Sequence, residues 1–448
     1  MNKDVKATKI NFENAVIKDL MDFKNVFWIN EDKPSFEVAD KTAMFSHADV
    51  KDAEDRLARF APFIEKAFPE TESTNGIIES PISDISDFKK ELEDHYNVTI
   101  DGSLLLKRDD TLPIAGTIKA RGAIYEVLKY AETLALREGV LESKDVNYEI
   151  FASDEFKQFF AEYNITVGTT GNLGISAGIM GAKLGFEVVV HMSLEAKQWK
   201  KDLLRSHGVN VIEHDTDFTL AVENGRKESE ANPKSYFVDD EHSTDLFLGY
   251  TVAGSRLKEQ LDKEGIIVDE DNPLFLYLPC GIGGSPGGIT FGLKHAYGDN
   301  VHCFFAEPAH IPSMLLGLET KKYDDVSVYD FDIDGKTNMD GLAVPRTSGF
   351  VSKLMSDFFD GGYTLQEPEA KRFLTRLIDI ESIPLEPAAV AGLPGPAYLF
   401  KSKEGQAYLK ENGLADKMKN ATHISWATGG SMVPEEDMQE FYNEGAGL

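Results

Sequence analysis

A chain of 448 residues with 42% hydrophobic and 10% aromatic residues is large enough for one big α/β unit or two to three domains, and too apolar to be disordered. Its 46 Lys and Arg stand against 76 Asp and Glu, and the resulting net charge of −30 argues against nucleic acid or an anionic membrane as partner. Two cysteines, Cys280 and Cys303, rule out a disulfide framework and a Cys-rich metal site, and fit a reducing, cytoplasmic setting.

The N-terminal stretch MNKDVKATKINFENAVIKDL carries charge every few residues and has no apolar segment of signal-peptide type. Residues 1–100 read as a helical layer. Leu57, Phe60, Ala61, Ile64 and Phe68 follow a helical period, with Pro62 expected to kink or split that helix. No chemistry is visible there, and a packing role is expected. From about residue 103 strands and helices alternate. SLLLKRDD reads as a buried strand, and Ile124, Val127, Leu128, Ala131, Leu134 and Ala135 form the apolar stripe of the next helix. ITVGTT, FEVVVHM and VNVIEH follow as strands, separated by GNLGISAGIMGAKLG and by a helix in SLEAKQWKKDLLRSHG, with a further helix from about Thr219. Leu274–Pro279, VHCFFAEP and ATHISWATGG supply the later strands. Such alternation predicts parallel βαβ units. It also accounts for two long uncharged stretches, Asn164 to Ala182 and Asn272 to Leu293, as buried α/β elements rather than membrane spans, because both are rich in Gly and polar residues.

Three motifs carry potential chemistry. Five glycines between Gly281 and Gly288 follow an apolar strand and precede a helical segment, a setting in which backbone amides and the helix N-terminus converge on an anion such as phosphate. The competing reading is a glycine turn for close packing. The loop is neither Walker A nor GxGxxG, since no Gly-Lys-Ser/Thr follows and residue 286 is proline. Gly283, Ser285 and Gly287 also satisfy GxSxG, so a serine hydrolase using Ser285, with His423 later in the chain, is the rival function; Pro286 weighs against it by removing an amide that an oxyanion hole needs. A non-catalytic ligand-binding module is a third reading.

The second motif is TIKARG. Lys119 falls in the first turn of its helix, where the dipole disfavours an ammonium and apolar neighbours would desolvate it, a setting that favours a nucleophilic amine able to form a Schiff base. The third is Thr169, Thr170, Gly171 and Asn172 at a strand end, suited to a carboxylate or an aromatic oxygen, or else to an ordinary helix cap. The 10 histidines show no HExxH and no zinc spacing.

Together, LLLKRDDTLPIAGTIKARGAIYEVL, VGTTGNLGISAGIMGAKLGFEVVVHMS, KKDLLRSHGVNV, FLGYTVAG, NPLFLYLPCGIGGSPGGITFGLK, HCFFAEP, DGLAV and NATHISWATGGSMVPEEDM resemble the serine/threonine dehydratase family of pyridoxal-phosphate enzymes, and within it the branch acting on D-serine. The N-terminal RLARFAPFIEKAFPET and GIIES fit as well, so the resemblance spans nearly the whole chain. It implies fold type II, tryptophan synthase β-like: a large α/β cofactor-binding domain from residues 1–149 and 244–448, with a smaller α/β domain, residues 150–243, inserted. Lys119 then forms the Schiff base with pyridoxal 5'-phosphate, and Gly281, Ile282, Gly283, Gly284 and Ser285 hold its phosphate. Asn172 meets the ring oxygen and the Thr428 hydroxyl the pyridine nitrogen, where it leaves a milder electron sink than a carboxylate would. Thr169, Thr170, Gly171, Asn172 and Leu173 receive the substrate carboxylate, Leu173 standing where relatives acting on L-serine often have histidine. Thr170 is the expected acid/base group on the ring face opposite Lys119. Glu307 matches a carboxylate that helps hold a monovalent cation, K⁺ or Na⁺. The implied reaction is β-elimination of D-serine to pyruvate and ammonia, extending to D-threonine and 2-oxobutanoate, by a cytoplasmic monomer; another amino-acid dehydratase of the same family is the alternative.

Overall fold

The computed structural model describes residues 11–169, 171–214 and 218–448. Eleven strands form two sheets among them. In chain order they are β1 (Phe27–Ile29), β2 (Ile82–Asp84), β3 (Ser103–Arg108), β4 (Asn164–Gly168), β5 (Glu187–Ser193), β6 (Asn210–His214), β7 (Ser235–Val238), β8 (Leu274–Pro279), β9 (Val301–Pro308), β10 (Gly361–Leu365) and β11 (Thr422–Ala427). A four-stranded sheet, ordered β6-β5-β4-β7 and parallel throughout, uses strands contiguous in sequence. A seven-stranded sheet, ordered β1-β10-β9-β8-β11-β3-β2, draws its strands from both sides of that stretch.

The centre of the larger sheet is parallel, and every residue of β8, β9 and β11 is buried. Helices cover both faces of such strands, which is why LFLYLP, VHCFFAEP and THISWA are close to uninterrupted apolar runs. The two edges were not foreseen. β1 and β2 are three-residue antiparallel strands contributed by the N-terminal layer, too short to show a period in sequence, and short edge strands of this kind limit pairing with other chains.

Pro62 does not split its helix. The helix runs unbroken over His47–Ala67, because burial of Phe60, Phe63 and Ile64 against the core outweighs the one backbone hydrogen bond that a proline removes. The segment after β5 turns through residues 194–197 before its helix begins at Gln198. Part of the glycine-rich run proves to be packing. A β-carbon on Gly288 would lie 2.6 Å from Tyr250 Cβ, and one on Gly292 1.9 Å from the Thr251 carbonyl, so these glycines let the Gly284–Tyr297 helix touch the Thr244–Thr251 helix backbone to backbone.

What positions the site is the C-terminal edge of both sheets. Lys119 is reached from the end of β3, Asn172 from β4, Asp240 from β7, Gly281 from β8 and Thr428 from β11. In open parallel α/β sheets this edge is where ligands bind, because helix N-termini and irregular loops meet there.

Candidate active site

Lys119 is the first residue of the helix Lys119–Arg137, as its motif predicts, and its placement is held from two sides. Thr428 accepts hydrogen bonds at its carbonyl from the Ile118 amide, at 2.8 Å, and from the Thr117 hydroxyl, at 2.9 Å, tying the lysine segment to the end of β11. Two residues along the helix, buried Arg121 donates to Asp109 from Nε and Nη2, at 2.6 and 2.7 Å, and to Glu79 from Nη1, at 3.0 Å. Trp426 Nε1 and the Ser80 hydroxyl donate to the same Asp109 carboxylate, and Lys107 donates to Glu79. The N-terminal layer is thus more than packing: Glu79 of GIIES supplies a buried charge that fixes the helix carrying Lys119. Removing one member would leave an uncompensated buried charge, a loss of about 3–5 kcal/mol.

The apolar setting expected for the lysine amine is not what surrounds it. Lys119 Nζ lies 3.1 Å from Asp240 Oδ2, and both side chains are mostly buried. Asp240 follows β7 in the segment SYFVDDEH. Its loop is anchored through Glu126, also on the Lys119 helix, whose Oε1 accepts from the Tyr236 hydroxyl and the Ser243 hydroxyl, each at 2.8 Å. Burial pushes the Glu126 carboxyl up to about 8.

The glycine loop faces the same cleft. Gly281, Ile282, Gly283 and Ser285 line it with Lys119, while Gly284 opens the helix just behind. Gly283 has φ +108°, and a β-carbon there would sit 2.4 Å from Met314 Cε, so glycine is required on both counts. The Ile282 carbonyl is turned away, accepting from the Ser348 amide and the Thr347 hydroxyl. Among the described residues no acceptor takes the N–H groups of Gly281, Ile282, Gly283, Gly284 or Ser285. Free amides at a helix N-terminus fit the phosphate of pyridoxal phosphate, an anion held without any basic side chain.

At the β4 end, Thr169, Gly171, Asn172 and Leu173 line the cleft, whereas Thr170 lies outside the described residues. Asn172 is no helix cap: it is the first helical residue, after Gly171, and its Nδ2 donates to Glu386 Oε1 at 2.9 Å. Thr169 Oγ1 accepts from the Gly171 amide. Thr428 also lines the cleft. Glu307 does not. It sits at the end of β9, buried, with its two carboxylate oxygens accepting from the Met314 and Leu315 amides at 2.8 and 2.9 Å, and burial pushes it up to about 8. No group of three or more His, Cys, Asp or Glu suited to a metal occurs among the described residues.

The hydrolase reading fails on geometry. His423 lies at the start of β11, paired in register with Phe275 near the start of β8, while Ser285 follows the opposite end of β8. The imidazole is fully buried, bonded to the Tyr277 hydroxyl and near the Asp101 carbonyl, and burial lowers it to about 3, out of reach of any role as base to Ser285.

Four ionisable residues of the cleft receive no role from the sequence: Asp240, Lys200, Asp340 and Glu386. Lys200 Nζ lies 3.2 Å from Asp340 Oδ2. Burial raises the Glu386 carboxyl, opposed by Lys200. Asp340 opens the DGLAV stretch that carried resemblance without a role, and Asp240 takes the same strand-end position as the motif residues. That position was the one available clue.

Comparison with known proteins bears on the family of the chain. The family model described as "Pyridoxal-phosphate dependent enzyme" matches residues 80–407. A protein of Bacillus mycoides (strain KBAB4) named "Probable D-serine dehydratase" is 55% identical over 446 residues, covering 100% of this chain and 99% of that protein. One of the same name from Geobacillus stearothermophilus is 56% identical over 433 residues, covering 97% and 94%. Among solved structures, Escherichia coli diaminopropionate ammonia lyase in complex with D-serine superposes with a TM-score of 0.70 at 18% identity, covering 94% of this chain and 97% of that one. At that identity the likeness speaks for the fold.

Proposed function

This chain belongs to the pyridoxal-phosphate-dependent enzymes, and we propose that it eliminates water from D-serine, giving pyruvate and ammonia. The observation that carries the reading is the convergence, at one sheet edge, of Lys119 with a loop of unengaged amides. The names of relatives 55–56% identical over nearly the whole chain support D-serine as substrate.

Bound pyridoxal phosphate supplies an electron sink for the charge left when the Cα proton departs. Lys119 would carry it, and the Gly281–Ser285 amides would hold its phosphate. Asn172, its amide oriented by Glu386, has a second N–H to offer the ring oxygen, and Thr428 would supply a hydroxyl for the ring nitrogen. In the chemical step Lys119 Nζ, set free when the substrate's amino group takes its place, takes the Cα proton while Asp240 Oδ2 orients the amine. A proton returned to the β-hydroxyl lets it leave as water, and the 2-aminoacrylate formed takes up water to yield pyruvate and ammonia. Thr169, Gly171, Asn172 and Leu173 bind the substrate carboxylate, with Thr170 as acid/base group from the other side. A K⁺ or Na⁺ beside Glu307 would supply the positive charge that this buried carboxyl lacks, through the second lone pairs of its oxygens.

The same reading assigns residues 1–149 and 244–448 to a large domain and residues 150–243 to a small one, in a cytoplasmic monomer. No helix among the described residues is long and apolar enough to cross a membrane. Turnover of D-serine, L-serine and D-threonine, followed as 2-oxo acid release, tests the proposal: D-serine is expected to be used best and D-threonine to yield 2-oxobutanoate. Equal or faster use of L-serine would contradict it.

A further inference from the structure

An amino-acid substrate brings a carboxylate into a cleft that already holds three, those of Asp240, Asp340 and Glu386. Only two cations line that cleft among the described residues, Lys119 and Lys200. The first is committed to the chemistry and to Asp240. The second comes from the helix Gln198–Ser206 beside the four-stranded sheet, and its side chain is only 5% exposed. Long charged side chains are rarely that buried without a reason.

Among the described residues, the one carboxylate within hydrogen-bond reach of Lys200 is poorly suited to hold it, and the other neighbours of the ammonium are the Glu386 carboxyl, whose rise it opposes, and the Trp199 ring, 5.6 Å away. Asp340 meets it at 3.2 Å, yet the Asp340 side chain is 57% exposed, so water competes for the carboxylate and the pair is weak. The ammonium also reaches the loop that Proposed function gives to the substrate carboxylate: a β-carbon placed on Gly171 would lie 3.7 Å from Lys200 Nζ. Among the described residues no positive side chain other than Lys119 and Lys200 lines the cleft to balance an incoming anion.

We propose that Lys200 binds the substrate carboxylate, exchanging Asp340 for it, and thereby selects free amino acids over their uncharged esters and amides. Chemically the exchange is one carboxylate for another on the same ammonium. It leaves Asp340 to solvent and places the substrate charge against a buried cation, where a charge-assisted hydrogen bond is stronger. This inference rests on the reading of the chain as an amino-acid lyase.

Steady-state kinetics of the holoenzyme test it. Lys200→Met is expected to raise KM for D-serine roughly 10- to 100-fold, the loss of one charged hydrogen bond, with kcat changed far less, and Lys200→Arg is expected to restore much of the loss. With D-serinamide the wild type and Lys200→Met should show the same KM, since no carboxylate is present to lose its partner. Asp340→Asn, an exposed and mild change, should lower KM for D-serine and so tests the exchange even where Lys200→Met folds poorly. An unchanged or raised KM in Asp340→Asn, or equal losses on D-serine and D-serinamide in Lys200→Met, would overturn the proposal and leave Lys200 as a strut between two parts of the fold. A wild type that releases no pyruvate from D-serine would bring down the lyase reading itself, an outcome distinct from these.

Discussion

The two walls of the cleft are built from different materials. One, Gly281 to Ser285 after β8, presents mostly backbone: unengaged amides, a glycine at φ +108° and only two side chains, those of Ile282 and Ser285. The rest of the lining presents ionisable side chains, Asp240 against Lys119 at 3.1 Å and Lys200 against Asp340 at 3.2 Å, with Glu386 on Asn172. A backbone wall can hold an anion with no net charge of its own, and on the proposed reading that lets a chain of −30 accommodate a phosphate. A side-chain wall handles protons and can exchange partners. The first should therefore be sensitive to chain conformation and indifferent to side-chain chemistry, and the second the reverse.

The largest effect is expected on the side-chain wall. Asp240→Asn keeps the shape but removes the proton acceptor from Lys119 Nζ, and turnover of D-serine should fall roughly 10²-fold, as for loss of a general acid–base group, with cofactor content unchanged. A loss of cofactor instead would move Asp240 to a binding role. On the backbone wall, Gly283→Ala forces a β-carbon into the left-handed region and onto Met314, at a cost of about 1–3 kcal/mol; cofactor affinity, titrated by absorbance, should weaken about tenfold or more.

A smaller effect concerns pH. Burial raises Glu126 to about 8, so the folded protein resists ionising a group that the unfolded chain ionises near the ordinary glutamate range. The resulting stability is present at low pH and is lost as the pH climbs towards 8. Glu126→Gln should flatten that loss by about 1–3 kcal/mol between pH 5 and 8, read from denaturant unfolding of both proteins across the range. Parallel pH profiles would show that Glu126 ionises freely in the folded state. Smallest of all, Ser285→Ala should change turnover by less than about threefold, because the proposed role uses only its amide; a collapse of activity would revive the hydroxyl as a participant.

The same difference in material decided what could be read from sequence. Glycines clustered after an apolar run are conspicuous, and a lysine in TIKARG or an asparagine after TTG stands at a strand end that periodicity locates. β8 and β9 were placed to the residue because strands buried on both faces are long apolar runs. Asp240, Asp340 and Glu386 are three of the 76 acids of the chain, so their types say nothing until the fold brings them to one cleft. Lys200 and Lys201 are both buried in their helix, which only the packing reveals. Pro62 and the short edge strands β1 and β2 misled or escaped for a related reason: tertiary packing, not local propensity, determines them.

The central claim is that Lys119 carries the cofactor in this cleft. Purified protein supplied with pyridoxal phosphate should be yellow, with an absorption band in the near violet, and borohydride should bleach it and fix the cofactor on the peptide containing Lys119. Colourless protein under the same loading, or reduced cofactor found on any other lysine, would contradict the account.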